Sequence, residues 1–399
     1  MIQTALRTHS FTESVIREMT RLANAHQAVN LAQGFPDYDP PSEMLEAAIL
    51  AIRNGLNQYA ITWGTPNLRQ AIAKKTKTFL GIIVDPETEI TVTCGSTEAM
   101  IASLLAVVNP GDEVIVFEPF YENYGPDAIL SQAQPRYVPL YPPKNEGGSW
   151  FFDFEELEQA FNNKTKAIIL NTPNNPTGKV FTRQELGHIA SLCQKWNVIA
   201  VTDEIYEHMV YDGLEHISLV VLPGMQERTI VINAISKTYS ATGWRVGWAL
   251  APREITASIR KVHDFLTVGA PHPFQEAAAV ALGLPGSYYE KLCEDYRQRR
   301  DFFLPVLQSA GFRCWKPFGA YYIMCDFSDV KRPPFIQEDR AFAEWLVSEI
   351  GVAPVPGSSF FTVSESGAPK GTTQVRFSFG RKMALLEEAS RCMQKLTVL

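Results

Sequence analysis

Seven short apolar runs, separated by helix-like stretches, fill the middle of the 399-residue chain and limit its fold more than any other feature. They are ITVTC (90–94), EVIVFEP (113–119), PRYVPL (135–140), KAIILN (166–171), VIAVTDEI (198–205), TIVINAIS (229–236) and RVGWALAP (245–252). Short β-branched runs alternating with helical patterns specify an α/β fold, a mainly parallel seven-stranded sheet flanked by helices on both faces. Only about eight residues separate the last two runs. That is too few for a helical crossover, so this pair is expected to be antiparallel.

From residue 286 the pattern changes. A long charged helix, YYEKLCEDYRQRRDFFLPVLQSA, leads to the short strands AYYIMCDF and TTQVRFSF and to a closing helix, KMALLEEASRCMQKL. The expected division is a large domain over 41–285, a smaller α+β domain over 286–399, and an N-terminal arm over 1–40 packed beside the latter. Ligands of open α/β sheets bind beyond the carboxyl ends of the strands, so chemistry is expected there.

Charge narrows the partners. A formal net charge of −7, with no basic cluster, excludes general affinity for nucleic acid. Six cysteines without a C-x-x-C pair read as reduced, mostly buried thiols. The first residues have no apolar core of signal-peptide type, and the longest apolar stretch, MIASLLAVV (100–108), is too short to cross a bilayer. A cytosolic location is the expectation, and NKT (163–165) is then a chance glycosylation match.

Four strand ends carry reactive groups. CGSTEA (94–99) opens a helix whose free N–H groups and positive end suit an anion. NTPNNPTGK (171–179) offers Asn175 on a turn. VTDEIYEH (201–208) ends an apolar strand in acids, where Asp203 and Tyr206 can face a crevice. A metal set using Glu207 and His208 lacks a second ligand cluster with suitable spacing, so no metal is expected. ISKTYSATGWRVGW (235–248) places Lys237 at a strand end and Arg245 eight residues on. Taken singly, a capped helix, a turn and a solvated lysine explain each feature. Together they describe a site for a phosphorylated, aldehyde-bearing aromatic base, which is pyridoxal phosphate.

On these residues the chain resembles the fold-type I pyridoxal-phosphate enzymes of the class I/II aminotransferase family. The resemblance runs from NLAQGFPDYD and NQYAITWGTPNLR through NTPNNPTG, DEIYEH and SKTYSATGWRVGW to QVRFSFG, and it is nearest to the methionine/glutamine/kynurenine subgroup. It implies that Lys237 carries the cofactor covalently and shuttles a proton, that Asp203 pairs with the pyridine nitrogen, and that Tyr206 and Asn175 bond the ring's phenolic oxygen. Tyr121 would stack on the ring. Gly95, Ser96, Thr97 and Arg245 would hold the phosphate, and Tyr59 would reach the phosphate of the partner in a homodimer with shared sites. Arg376 would clamp the substrate carboxylate, helped by Asn175 and the backbone of Gly34.

Two positions depart from the family pattern. Ala234 stands where a phosphate-binding serine is usual, and Ser236 could compensate. Ile16 stands where kynurenine-type members carry a large aromatic, so a strictly aromatic substrate is not implied. The expected activity is transfer of an amino group from a neutral or aromatic amino acid to a 2-oxo acid. A cysteine-conjugate β-lyase is the alternative within the fold, separable by its pyruvate and ammonia. A cofactor-binding regulator is the alternative outside enzymes, but the N-terminal DNA-binding module and basic charge of such regulators are missing.

Overall fold

A computed structural model describes residues 4–9, 11, 13–145, 147–362 and 369–398. In chain order the strands are β1 (Val29–Asn30), β2 (Ile90–Thr93), β3 (Glu113–Glu118), β4 (Gln134–Pro139), β5 (Thr165–Asn171), β6 (Ile199–Asp203), β7 (Thr229–Ala234), β8 (Gly247–Leu250), β9 (Arg313–Trp315), β10 (Tyr322–Asp326), β11 (Val352–Ala353), β12 (Val355–Pro356) and β13 (Gln374–Ser378). The main sheet has the order β2-β8-β7-β6-β5-β3-β4. Its strands β3 to β7 pair parallel, while β8 runs antiparallel to both β7 and β2. The twelve residues between β7 and β8 hold one helical turn and a 3-10 turn, too little chain to cross back over the sheet.

The central strands β6 and β7 are buried on both faces, as continuous apolar runs require. Each ends two residues before its apolar run does, at Asp203 and at Ala234. At Asp203 the side chain takes over from the ladder: Oδ1 accepts from the Ile205 amide at 3.3 Å and turns the chain. After Ala234 the chain winds at once into the short helix Ile235–Thr238. Lys237 therefore sits on a helical turn rather than on the strand itself.

The second sheet, β12-β13-β10-β9, is antiparallel, and β1 pairs parallel with β11. This pairing holds the chain near residue 30 against the C-terminal sheet. Helix α1 (Val15–His26) precedes it, capped by Ser14, whose hydroxyl accepts from the Arg17 amide at 3.3 Å. Its buried residues Ile16, Met19 and Ala23 follow helical spacing. Helix α2 (Ser42–Arg53) and helix α3 (Pro66–Leu80) lead to β2. Helix α4 (Ser96–Val107) follows β2 after Gly95, which has φ +83°, a conformation that glycine alone adopts freely. No helix among the described residues is long and apolar enough to cross a membrane.

Candidate active site

The carboxyl ends of β2, β5, β6 and β7 open into one cavity, roofed by residues of α1, β10 and β13. Twenty-one of the described residues line it. Among them are Ile16, Ser96, Thr97, Tyr121, Asn175, Asp203, Tyr206, Ser236, Lys237, Arg245 and Arg376, with Gly34, all expected from the sequence. Gly95 underlies it. Tyr59 does not reach it and stands 85% exposed on its own chain.

Lys237 Nζ donates to the Gly34 carbonyl and lies 5.9 Å from the centre of the Tyr321 ring. Burial lowers its pKa to about 7, with the Arg376 charge adding to the effect and Asp203 opposing it. The ammonium is thus easily given up. Asp203 shows the complementary shift. Burial raises its carboxyl to about 6, against the Tyr124 hydroxyl, which donates to Oδ2 at 2.8 Å. Burial thus shifts lysine and acid toward one another.

Arg376 is wholly buried in β13. One guanidinium nitrogen donates to Asn175 Oδ1 at 2.8 Å and another to the Ala32 carbonyl at 2.6 Å. Its Cζ lies 4.2 Å from the Tyr322 ring centre and 4.9 Å from that of Phe360. Its Nε has no hydrogen-bond partner among the described residues. A buried guanidinium with an unpaired donor and no ion pair among the described residues fits an anion that arrives from outside.

At the opposite wall, Arg245 donates to the carbonyls of Thr242 (2.9 Å) and Cys94 (3.3 Å) and lies against the start of α4. A Cβ on Gly95 would stand 2.3 Å from Arg245 Nη2, so glycine is needed for this approach. The helix start and the guanidinium together form an anion cup. Ala234 adds nothing to it, whereas Ser236 faces the cavity.

The Tyr206 hydroxyl shares a 2.8 Å hydrogen bond with that of Tyr322, and Asn175 serves Arg376, so both reach the cavity through a local partner. The Gly34 carbonyl takes donors from Lys237 and from Tyr321 (3.0 Å). As an acceptor the carbonyl positions the lysine, so a substrate carboxylate would have to meet the Gly34 N–H instead.

Sequence reasoning passed over Ser14, Arg17, Glu122, Tyr124 and Tyr322, which also line the cavity. Tyr124 follows Tyr121 by three residues, and a turn in which the Tyr124 amide donates to the Tyr121 carbonyl at 3.1 Å brings both to the cavity. The others come from the distant α1 and β10 or from the loop after β3, and no local pattern brings them here.

Outside the cavity, Glu204, Glu207 and His216 have ligand atoms within 4.8 Å of one another. The chain's own donors fill this cluster. Lys75 pairs with Glu207, Asn233 donates to Glu207 at 2.6 Å, and Ser218 and Thr202 donate to Glu204 at 2.6 and 2.8 Å. His208, 3.6 Å from Glu207, is pushed down to about 4 by burial. The network ties the loop that follows Asp203 to α3.

Comparison with known proteins matches this arrangement. A family described as aminotransferase class I and II spans residues 26–391. Kynurenine–oxoglutarate transaminase 1 of Homo sapiens is 38% identical, over 96% of this chain and 95% of its own. Methionine aminotransferase of Escherichia coli is 35% identical over 96% of each. The structure of N-succinyldiaminopimelate aminotransferase from Mycobacterium tuberculosis superposes with a TM-score of 0.93 at 38% identity, covering 99% of this chain and all of that one. With fold, cavity lysine and family match in agreement over nearly the full length, the chain belongs to the aminotransferases of class I and II.

Proposed function

We propose that the chain moves an amino group from a neutral or aromatic L-amino acid to a 2-oxo acid, with pyridoxal phosphate held in the cavity. The observation that carries this reading is Lys237, half-buried in the cavity, readily neutral, and lining it together with Asp203 and Arg376. A neutral amine is the nucleophile an aldehyde requires. The cup of Gly95, Ser96, Thr97 and Arg245 suits the phosphate, and Tyr121 and Asn175 flank the space between cup and lysine. The residues present therefore fit the cofactor.

When bound, the cofactor supplies an electron sink, a protonated pyridine ring that takes up the electron pair freed at the substrate Cα. Asp203 keeps that ring nitrogen protonated. A cation within hydrogen-bond reach favours the charged carboxylate that burial alone disfavours, and the Tyr124 hydrogen bond fixes its orientation. Lys237 Nζ moves the proton of the substrate Cα, and a pKa of about 7 leaves it able to take and to return that proton near neutral pH. Arg376 holds the substrate α-carboxylate in its planar fork and so fixes which Cα bond faces Lys237.

The acceptor end rests on Arg17. It lines the same cavity from the exposed flank of α1, while the neighbouring Glu122 is engaged by the Ser14 hydroxyl at 2.6 Å. A further arginine beside the one assigned to the α-carboxylate suits an acceptor with a second carboxylate, in keeping with the oxoglutarate in the human relative's name. Arg17→Ala is expected to raise KM for 2-oxoglutarate on the order of tenfold, the worth of one charged hydrogen bond, and to leave KM for pyruvate unchanged. Equal effects on both acceptors would remove Arg17 from this role.

A homodimer completes the site in this reading. Tyr59 lies in a segment packed on 263–272 through contacts of the Gln58 and Thr62 carbonyls with His272 (3.2 Å) and His263 (2.8 Å). Around it Leu50, Ile61, Phe265, Leu266 and Val268 are exposed, an apolar surface suited to a second copy. The test of the activity is product analysis with methionine, glutamine, phenylalanine and kynurenine as donors. A new amino acid made from the oxo acid supports transfer. Pyruvate and ammonia from a cysteine conjugate, with no amino group transferred, would favour the lyase instead.

A further inference from the structure

Two of the six cysteines face each other across the smaller sheet. Cys314 on the edge strand β9 is registered directly opposite Cys325 on β10, and their sulfurs are 2.9 Å apart. Residues directly opposed in an antiparallel pair have Cα atoms roughly 4.5–5.5 Å apart. That lies within the span of about 4.4–6.8 Å that a disulfide requires. From 2.9 Å the sulfurs need to close by less than about 1 Å to reach a bond length of about 2.05 Å. Of the remaining cysteines, Cys193 is buried, while Cys94 and Cys293 donate to the carbonyls of Gly269 and Val210.

We propose that Cys314 and Cys325 are a modification site, closing to a reversible intrachain disulfide on exposure to a low-molecular-weight disulfide such as oxidised glutathione. The two thiols differ in access, and the difference sets the order of events. Cys314 is half-buried on an edge strand, whereas Cys325 is fully buried in the core between the sheet and its helices. Burial, together with the neighbouring Cys314, also holds the Cys325 thiol well above its ordinary pKa, so it does not react first.

The Cys314 thiolate attacks one sulfur of the small disulfide, whose S–S bond breaks and releases one thiolate. Cys325 then gives up its proton to that thiolate and attacks the Cys314 sulfur of the mixed disulfide, expelling the second thiolate. Two protein thiols are oxidised by two electrons, and one small disulfide is reduced to two thiols. The product ties the edge strand β9 to β10. Met324, next to Cys325, is registered opposite Arg376, so the clasp lies in the sheet that presents the buried arginine.

The experiment treats the folded wild-type protein with oxidised glutathione, blocks free thiols by alkylation, and maps the segment containing residues 314 and 325 by mass. The expected segment is lighter than the reduced one by two hydrogens, closed to alkylation, and restored by dithiothreitol. Two alkylated thiols, or a glutathione adduct that persists on Cys314 of the wild type, would overturn the proposal. Cys325→Ala separates the steps: it should retain the glutathione adduct on Cys314, and failure to gain one would overturn the order of attack. Cys314→Ala should leave Cys325 unmodified.

Discussion

Lys237 owes its character to its surroundings. Burial disfavours the ammonium, Arg376 repels it, and only Asp203 favours it. Replacing Lys237 by arginine keeps the charge and removes the nucleophile, so it should abolish turnover. The loss expected is at least about a thousandfold in kcat, checked by single-turnover assay. Asp203→Asn removes the charge while nearly keeping the shape. A fall in kcat of about a hundred- to a thousandfold is expected, with little change in cofactor content, because the lost effect is electrostatic support during reaction. Arg376→Lys replaces a planar fork by a point charge and should raise KM for donor and acceptor alike, by roughly ten- to a hundredfold. An unchanged KM would show that the substrate carboxylate is held elsewhere.

Among elements, the contact between the start of α4 and the helix Arg253–Thr267 is made by a buried pair. Glu98 accepts from Thr267 and faces His263 Nδ1, both at 2.6 Å, while His263 Nε2 faces the Thr62 carbonyl at 2.8 Å. Both ring nitrogens therefore face acceptors, which only the doubly protonated ring satisfies. Burial works to lower the His263 pKa, but the Glu98 hydrogen bond and charge outweigh it, and the pKa is raised. Burial likewise works to raise Glu98, and the His263 and Thr267 hydrogen bonds bring it below its ordinary value.

The signs give a window. The His263 contribution is complete below the imidazole's ordinary 6.5 and is lost as pH rises through the raised value. The Glu98 contribution is complete above the ordinary 4.5 and is lost as pH falls through the lowered value. His263→Ala should therefore cost most between these two values, on the order of 3 kcal/mol, because a buried carboxylate loses its partner. Urea unfolding of both proteins across pH measures this. A difference that stays constant from pH 5 to 9 would contradict the charged pair.

The same elements show what the sequence can reveal. Strand ends marked by acids, a lysine and a G-S-T helix start were legible because polar groups interrupting apolar runs need a local cause. The early ends of β6 and β7 were not, since the apolar runs continue through the turn that Asp203 Oδ1 makes with the Ile205 amide and through the helical turn that follows Ala234. Arg17 looks like any solvated residue on an amphipathic helix, and Tyr322 like any core residue of a short strand. Their place in the cavity is set by β1 pairing with β11, more than three hundred residues away in the chain, and by β10 pairing with β13, about fifty residues away.

At the scale of the whole molecule, a parallel sheet brings four strand ends to one edge, and the smaller sheet adds Arg376 and Tyr322 from above. In the proposed homodimer a second copy would complete this site. Phe265, 91% exposed beside the Tyr59 segment, is the residue to test. Phe265→Asp should shift the protein from dimer to monomer in sedimentation, and Tyr59→Phe should keep the dimer while weakening cofactor retention roughly tenfold, as loss of one charged hydrogen bond implies. A dimer unaffected by Phe265→Asp would place the interface on another face.

The most direct test of the account is the absorption spectrum of the purified protein with pyridoxal phosphate, recorded before and after methionine or kynurenine is added without any oxo acid. The visible band of a lysine-bound cofactor should be present, bleach with the amino donor, and return when a 2-oxo acid follows; Lys237→Ala should lack the band from the start. A wild type that shows no such band, or a Lys237→Ala variant that retains it, would contradict the role given to this lysine.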